Sequence, residues 1–89
     1  MQAVLKGASF KTQQDFHAAV KKALRLPSYY GNNLDALWDC LTSEVDTPLT
    51  LTWHDFKTSH EQLGPFAYKA RRLFEQAQEE VPGFVFKAD

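Results

Sequence analysis

At 89 residues, 44% hydrophobic and 24% charged, the chain has the size and composition of a single small globular domain, residues 1–89, and of neither a disordered nor a fibrous protein. No apolar run approaches the ~20 residues of a membrane-spanning helix, and the opening MQAVLKGASFK lacks the apolar core and cleavage site of a signal peptide, so neither membrane nor export is expected. The one cysteine, Cys40, cannot form an internal disulfide, which fits a reduced compartment and a cytoplasmic location.

The elements follow in chain order. QAVLK (2–6) alternates weakly before Gly7 and predicts a short strand. Thr12 with Asp15 three residues later has the form of a capping box, with Asp in place of Glu or Gln. Phe16, Ala19, Val20, Ala23 and Leu24 then recur at helical spacing, Lys21, Lys22 and Arg25 fall in the last turn, and Pro27 ends the helix. SYYGNN is a loop, and Asn32 or Asn33 caps the next helix.

In that second helix Leu34, Leu37, Trp38, Leu41 and Val45 make an apolar face. At ~100° per residue, Asp35, Asp39, Thr42 and Asp46 fall together on another. Thr47-Pro48 breaks the helix, and LTLTW (49–53) alternates as a strand with Leu49, Leu51 and Trp53 on one side. HDFKTSHEQL (54–63) predicts a short helix with Asp55 as a candidate cap, and Gly64-Pro65 a turn. Phe66, Ala70, Leu73, Phe74, Ala77 and Val81 define a last helix stopped by Pro82-Gly83, and FVF (84–86) a final buried strand. The order β-α-α-β-α-α-β predicts an α/β fold, a three-stranded parallel sheet packed by about four helices with right-handed crossovers.

The net charge of −1 hides its distribution. Residues 1–25 hold Lys6, Lys11, Lys21, Lys22 and Arg25 against Asp15 alone. Residues 26–56 hold Asp35, Asp39, Glu44, Asp46 and Asp55 and no Lys or Arg, while residues 57–89 balance. The basic residues of the first helix read as dipole complementation and a solvated face, since no nucleic-acid reader motif accompanies them, and no direct nucleic-acid partner is expected.

For the acidic stretch two readings stand: a solvated surface, or a surface kept for a basic partner. The patch runs through a loop and a helix without a counter-charge, beside Tyr29 and Tyr30, aromatics of a kind found at interfaces. Catalysis finds little support. His17, His54 and His60 lie on separate elements, Cys40 has no visible activator, and there is no phosphate-binding glycine loop or Cys/His metal spacing. Asp35 and Asp39 sit on a rigid helix rather than in a cation-binding loop. No enzyme activity, cofactor or metal is therefore expected.

One pattern is specific. Leu26-Pro27, Tyr29-Tyr30-Gly31, Asn33-Leu34-Asp35-Ala36-Leu37-Trp38-Asp39, Leu41-Thr42, Pro48-Leu49 and Trp53 together resemble the barstar family of ribonuclease inhibitors. Ala3-Val4, Gly7, His17, Lys21-Lys22, Phe56, Phe74 and Ala77 also fit, and the likeness is weak over 57–72 and in the last strand. The resemblance implies a three-stranded parallel sheet packed by helices and a cis bond at Thr47-Pro48, where the chain must also reverse tightly between helix and strand. It implies a protein that binds a basic bacterial ribonuclease of the barnase type, one to one, as an inhibitor or immunity protein that is monomeric when free. A loop and helix would plug the active site, carboxylates taking the place of RNA phosphates.

Carried onto this chain, Asp39 is the central anion, Asp35 meets basic or backbone groups at the cleft edge, and Tyr29 packs on an active-site ring. Asn33, Trp38, Thr42 and Asp46 line the contact, with Trp38 equally placed to serve the core. At positions where family members carry an aromatic after a Thr-Gly pair, this chain has Ser43 and Glu44; on the last helix Gln76 replaces an acid, with Glu80 retained. These departures touch the rim and imply a different cognate ribonuclease. The alternative is a barstar-like module that binds some other basic protein.

Overall fold

The computed structural model describes residues 1–89. Its elements are β1 (Gln2–Lys6), a 3-10 turn (Gly7–Ser9), α1 (Gln13–Ala23), α2 (Leu34–Ser43), β2 (Leu49–His54), α3 (Phe56–Leu63), α4 (Pro65–Glu80) and β3 (Phe84–Ala88). The expected order β-α-α-β-α-α-β holds. The strands form one parallel sheet, β1-β2-β3, with Ala3 beside Leu51 and Leu51 beside Phe86.

Alternation along each strand sets which face is covered. Ala3 and Leu5, then Leu49, Leu51 and Trp53, then Phe84 and Phe86 are buried. Between them Gln2, Val4, Thr50, Thr52, Val85 and Lys87 are exposed or half-buried. Parallel sheets are usually covered on both faces; this one carries its helices on one. Trp53 is fully buried among Phe10, Phe16, Phe56 and Phe74, with edge-to-face ring pairs such as Trp53–Phe56 at 5.1 Å. Such pairs add ~0.5–1.5 kcal/mol each beyond the area they bury.

Gly7 permits the closest approach in the core. A Cβ there would run into the His54 carbonyl oxygen and Ser59 Oγ. Trp53 Nε1 donates to Ser59 Oγ at 2.9 Å, and Ser59 Oγ donates to the Gly7 carbonyl at 2.8 Å. This chain ties β2, α3 and the turn after β1 together, and no buried side-chain polar atom is left unpaired.

The capping box of α1 forms as expected. Asp15 N–H donates to Thr12 Oγ1 at 3.1 Å, and Thr12 N–H donates back to Asp15 Oδ2 at 3.2 Å. The helix stops at Ala23, however, two residues short of Arg25 and well before Pro27. Arg25 turns left-handed (φ 54), Leu26 N–H donates to the Lys21 carbonyl at 2.9 Å and Arg25 N–H to Lys22 at 3.3 Å. This is a Schellman termination, with arginine where glycine is usual.

Four other boundaries shift. His54 extends β2, opposite Lys6. Asp55 precedes α3 but is itself left-handed (φ 57), and its side chain makes no capping bond. Pro65 is not a turn residue but the first residue of α4, where a missing N–H costs nothing. The last strand runs on to Ala88 and is buried on one face only, Val85 being 41% exposed. The Thr47–Pro48 bond is cis.

Candidate functional site

The loop 27–33 and helix α2 carry most of the residues that sequence brings into question. Asn33 caps α2: its Oδ1 accepts from Ala36 N–H at 2.7 Å, and its Nδ2 donates to the Gly31 carbonyl at 3.3 Å. Asn33 is thereby an organiser of the loop as well as an exposed polar group. Leu37, Cys40 and Leu41 are buried and fix the helix rotation, which turns Asp35, Asp39 and Thr42 to solvent. Burial also pushes the Cys40 thiol up, with the nearby carboxylates adding to the shift, so it stays protonated and unreactive.

Helix α2 ends at Ser43, before Val45 and Asp46. Thr42 Oγ1 donates to the Trp38 carbonyl at 2.9 Å, and Ser43 Oγ donates to the Asp39 carbonyl at 2.6 Å. Glu44 and Val45 N–H groups both converge on the Cys40 carbonyl, at 2.9 and 3.2 Å. Hydroxyls that compete for main-chain acceptors favour an ending here. Asp46 is exposed in the connection that follows, so helical periodicity does not place it with Asp35 and Asp39.

Tyr29 is 72% exposed and its hydroxyl donates to Glu44 Oε1 at 2.7 Å. That bond raises the phenol above its ordinary pKa, desolvation and the charge of Glu44 adding less. It joins the loop before α2 to the end of α2, a connection spacing alone cannot reveal. The loop is anchored underneath by Tyr30, whose hydroxyl lies 2.6 Å from Nδ1 of buried His17. Burial lowers the His17 pKa and raises that of Tyr30, keeping both neutral.

The salt bridges of the molecule are His54–Asp89 and Arg71–Glu75. Asp35, Asp39, Glu44 and Asp46 take part in none. No ion pair neutralises the acidic stretch, but Asp35 shares a cleft with two cations of another element. Helix α4 packs on α2, and a cleft of about 340 Å³ between them is lined by Asp35, Trp38 and Gln76 together with Lys69, Arg72 and Leu73. Trp38 is half-buried, packed against the core and open to this cleft. Gln76 Nε2 donates to Glu80 Oε2 at 3.1 Å, one turn along. Lys69 and Arg72 carry no signal of their own in the sequence beyond their spacing: Lys69 to Arg72 is three residues and Arg72 to Gln76 four, which puts the three on one helix face.

No group of three or more His, Cys, Asp or Glu side chains is gathered to hold a metal ion, and no helix is long and apolar enough to cross a membrane. The chemistry on offer is that of an exposed anionic protein surface with an aromatic beside it. The family model for Barstar, described as barnase inhibitor, matches residues 1–88. The chain belongs to the barstar family. It is also 44% identical over 78 residues to a Bacillus subtilis (strain 168) protein named "Putative ribonuclease inhibitor YrdF", a match covering 88% of this chain and 86% of the relative. The barstar signature is thus shared from end to end, and the weakly patterned stretch 57–72 falls within it.

Proposed function

We propose that this protein is a stoichiometric inhibitor, or immunity protein, of a basic bacterial ribonuclease, acting in the cytoplasm of the cell that makes the enzyme. The observation that carries the reading is a barstar-family chain in which α2 and the turn after it carry four exposed carboxylates, none of them in an ion pair. A ribonuclease must present cations to bind the phosphates of RNA, so the same cations accept a correctly spaced row of carboxylates. Asp39 is the central anion. Asp35 and Tyr29 flank it, with Asn33, Trp38 and Thr42 lining the contact. Ser43, Glu44, Asp46, Gln76 and Glu80 form the rim.

The inhibitor is a free monomer and binds one enzyme molecule. It needs no cofactor and performs no reaction: the complex blocks access of RNA to the catalytic cleft. The rim then sets partner choice. Glu44 is already engaged by Tyr29, and Gln76 with Lys69 and Arg72 leaves the α4 side of the contact without a net anionic character. A cognate enzyme is expected to be less basic on that side than over Asp39.

The test is titration of the purified protein into a small basic ribonuclease encoded beside it, with RNA cleavage as the readout. Activity should fall linearly to near zero at a one-to-one ratio, and the two proteins should co-elute. Undiminished cleavage at severalfold excess, together with separate elution, overturns the reading.

A further inference from the structure

Strand β1 has an open edge that the acidic surface does not use. It pairs only with β2. The Met1 carbonyl accepts from Thr50 N–H at 2.9 Å, so odd-numbered residues of the strand turn their main chain toward β2. Gln2, Val4 and Lys6 turn theirs outward. The Lys6 carbonyl is already taken by Ser9 Oγ at 2.7 Å, which leaves the main chain of Gln2 and Val4 and the Lys6 N–H facing out.

Along this edge runs a groove of about 540 Å³ between β1 and α1. Val4, Ala19 and Ala23 give it an apolar lining, Lys6, Lys22 and Arg25 supply three cations, and no carboxylate lines it. Arg25 occupies the left-handed position that ends α1, a conformation glycine would adopt without strain. The residue there is instead an arginine, and it lines the groove.

We propose that this groove takes an extended acidic segment of a partner protein as an added strand. The segment's main chain pairs with Gln2, Val4 and Lys6, its carboxylates meet Lys6, Lys22 and Arg25, and its alternate apolar residues lie on the alanines of α1. Each part of the description has its own cause. Unpaired main-chain groups at a sheet edge call for an extended backbone. Three cations without a counter-charge call for acids. The apolar lining calls for alternation rather than a uniformly charged chain. A strand of five residues spans ~16 Å, so five or six extended residues fill it. A nucleic-acid strand meets the cations but leaves the outward N–H and C=O groups unpaired. The groove shares no lining residue with α2, the loop 27–33 or the cleft against α4, so this site and the proposed ribonuclease surface can be filled together.

A fluorescein-labelled peptide of alternating Glu and Val is the probe, followed by anisotropy at low salt with the intact chain. Saturable binding is expected, with amide shifts concentrated at Gln2, Val4 and Lys6 in a two-dimensional NMR titration. N-methylation of alternate peptide amides should weaken it about tenfold or more, because strand pairing is lost. Lys22→Glu with Arg25→Glu should weaken it to a similar degree, with circular dichroism unchanged. Arg25→Gly separates role from fold: it should raise the melting temperature and still weaken the peptide. Absence of saturable binding overturns the proposal. So does indifference to N-methylation, or equal displacement of the peptide by a single-stranded DNA of matched charge.

Discussion

Asp35 and Asp39 stand one helical turn apart on α2, and neither forms an ion pair within the molecule. A like-charged pair at this spacing costs an isolated helix roughly 0.2–0.5 kcal/mol. Asp39→Ala should therefore leave fold stability unchanged or slightly raised. The same change should weaken the ribonuclease complex more than any other single substitution, by ~2–5 kcal/mol or more. Much of that figure, drawn from interfaces that include the family's namesake complex, is the cost of leaving the enzyme's cations unpaired. Calorimetric titration of Asp39→Ala against the cognate enzyme, beside a melting curve of the free protein, checks both halves. Ser59 is a contrasting residue whose role is internal. It receives the Trp53 N–H and donates to the Gly7 carbonyl, all buried. Ser59→Ala leaves a donor and an acceptor without partners and should destabilise by ~1–3 kcal/mol per group lost. Urea unfolding reads this directly, and the affinity of the protein that remains folded should not move.

At the scale of elements, types and order were legible because strands and helices bury different periods of the sequence. LTLTW could only cover Leu49, Leu51 and Trp53 by lying as a strand, and it does. Helix ends were less legible, and for identifiable reasons. An arginine at the left-handed position after α1 carries no glycine signal, and Thr42 and Ser43 end α2 through side-chain bonds to main-chain carbonyls, with Ser43 five residues before Pro48, the first helix breaker in sight. The loop between α1 and α2 was read only as a turn; the structure shows what holds it. Tyr30 is buried and bonded to His17 of α1, beneath the loop that presents Tyr29. Burial lowers the His17 pKa below its ordinary 6.5. The unfolded chain then binds a proton that the folded one refuses, in the window between the depressed value and 6.5. Stability from this group is complete above 6.5 and is lost as pH falls through that window. The urea midpoint should thus decline as pH falls below 6.5, and His17→Gln should flatten that part of the decline. An equal decline in both proteins would assign the acid sensitivity to other groups.

At the scale of the whole molecule the net charge of −1 is a poor guide, because the charges are unevenly distributed along the chain and few of them pair. The acids from Asp35 to Asp46 are exposed and form no salt bridge, and that much of the candidate site was legible from the order of charges alone. What could not be read was its border. Lys69, Arg72 and Gln76 lie 34, 37 and 41 residues from Asp35 in sequence and reach the same cleft only because α4 packs on α2; likewise Glu44 meets Tyr29 through a turn of the chain rather than through helical spacing. The charge layout makes a kinetic prediction. A molecule of net charge −1 treated as a point would barely feel a basic enzyme, whereas a local cluster of carboxylates produces a field that a partner's cationic cleft follows during encounter. Mobile ions screen that field over ~10 Å at 0.1 M salt and over ~30 Å at 0.01 M. Stopped-flow association with the cognate ribonuclease should accordingly be fast at low salt and slow steeply as salt rises, while dissociation changes much less. Asp35→Asn and Asp46→Asn should each reduce both the low-salt rate and the steepness. Glu61→Gln, on α3 and away from the α2 surface, alters net charge by the same amount and should do neither. If all three substitutions acted alike, net charge rather than the α2 surface would govern the encounter.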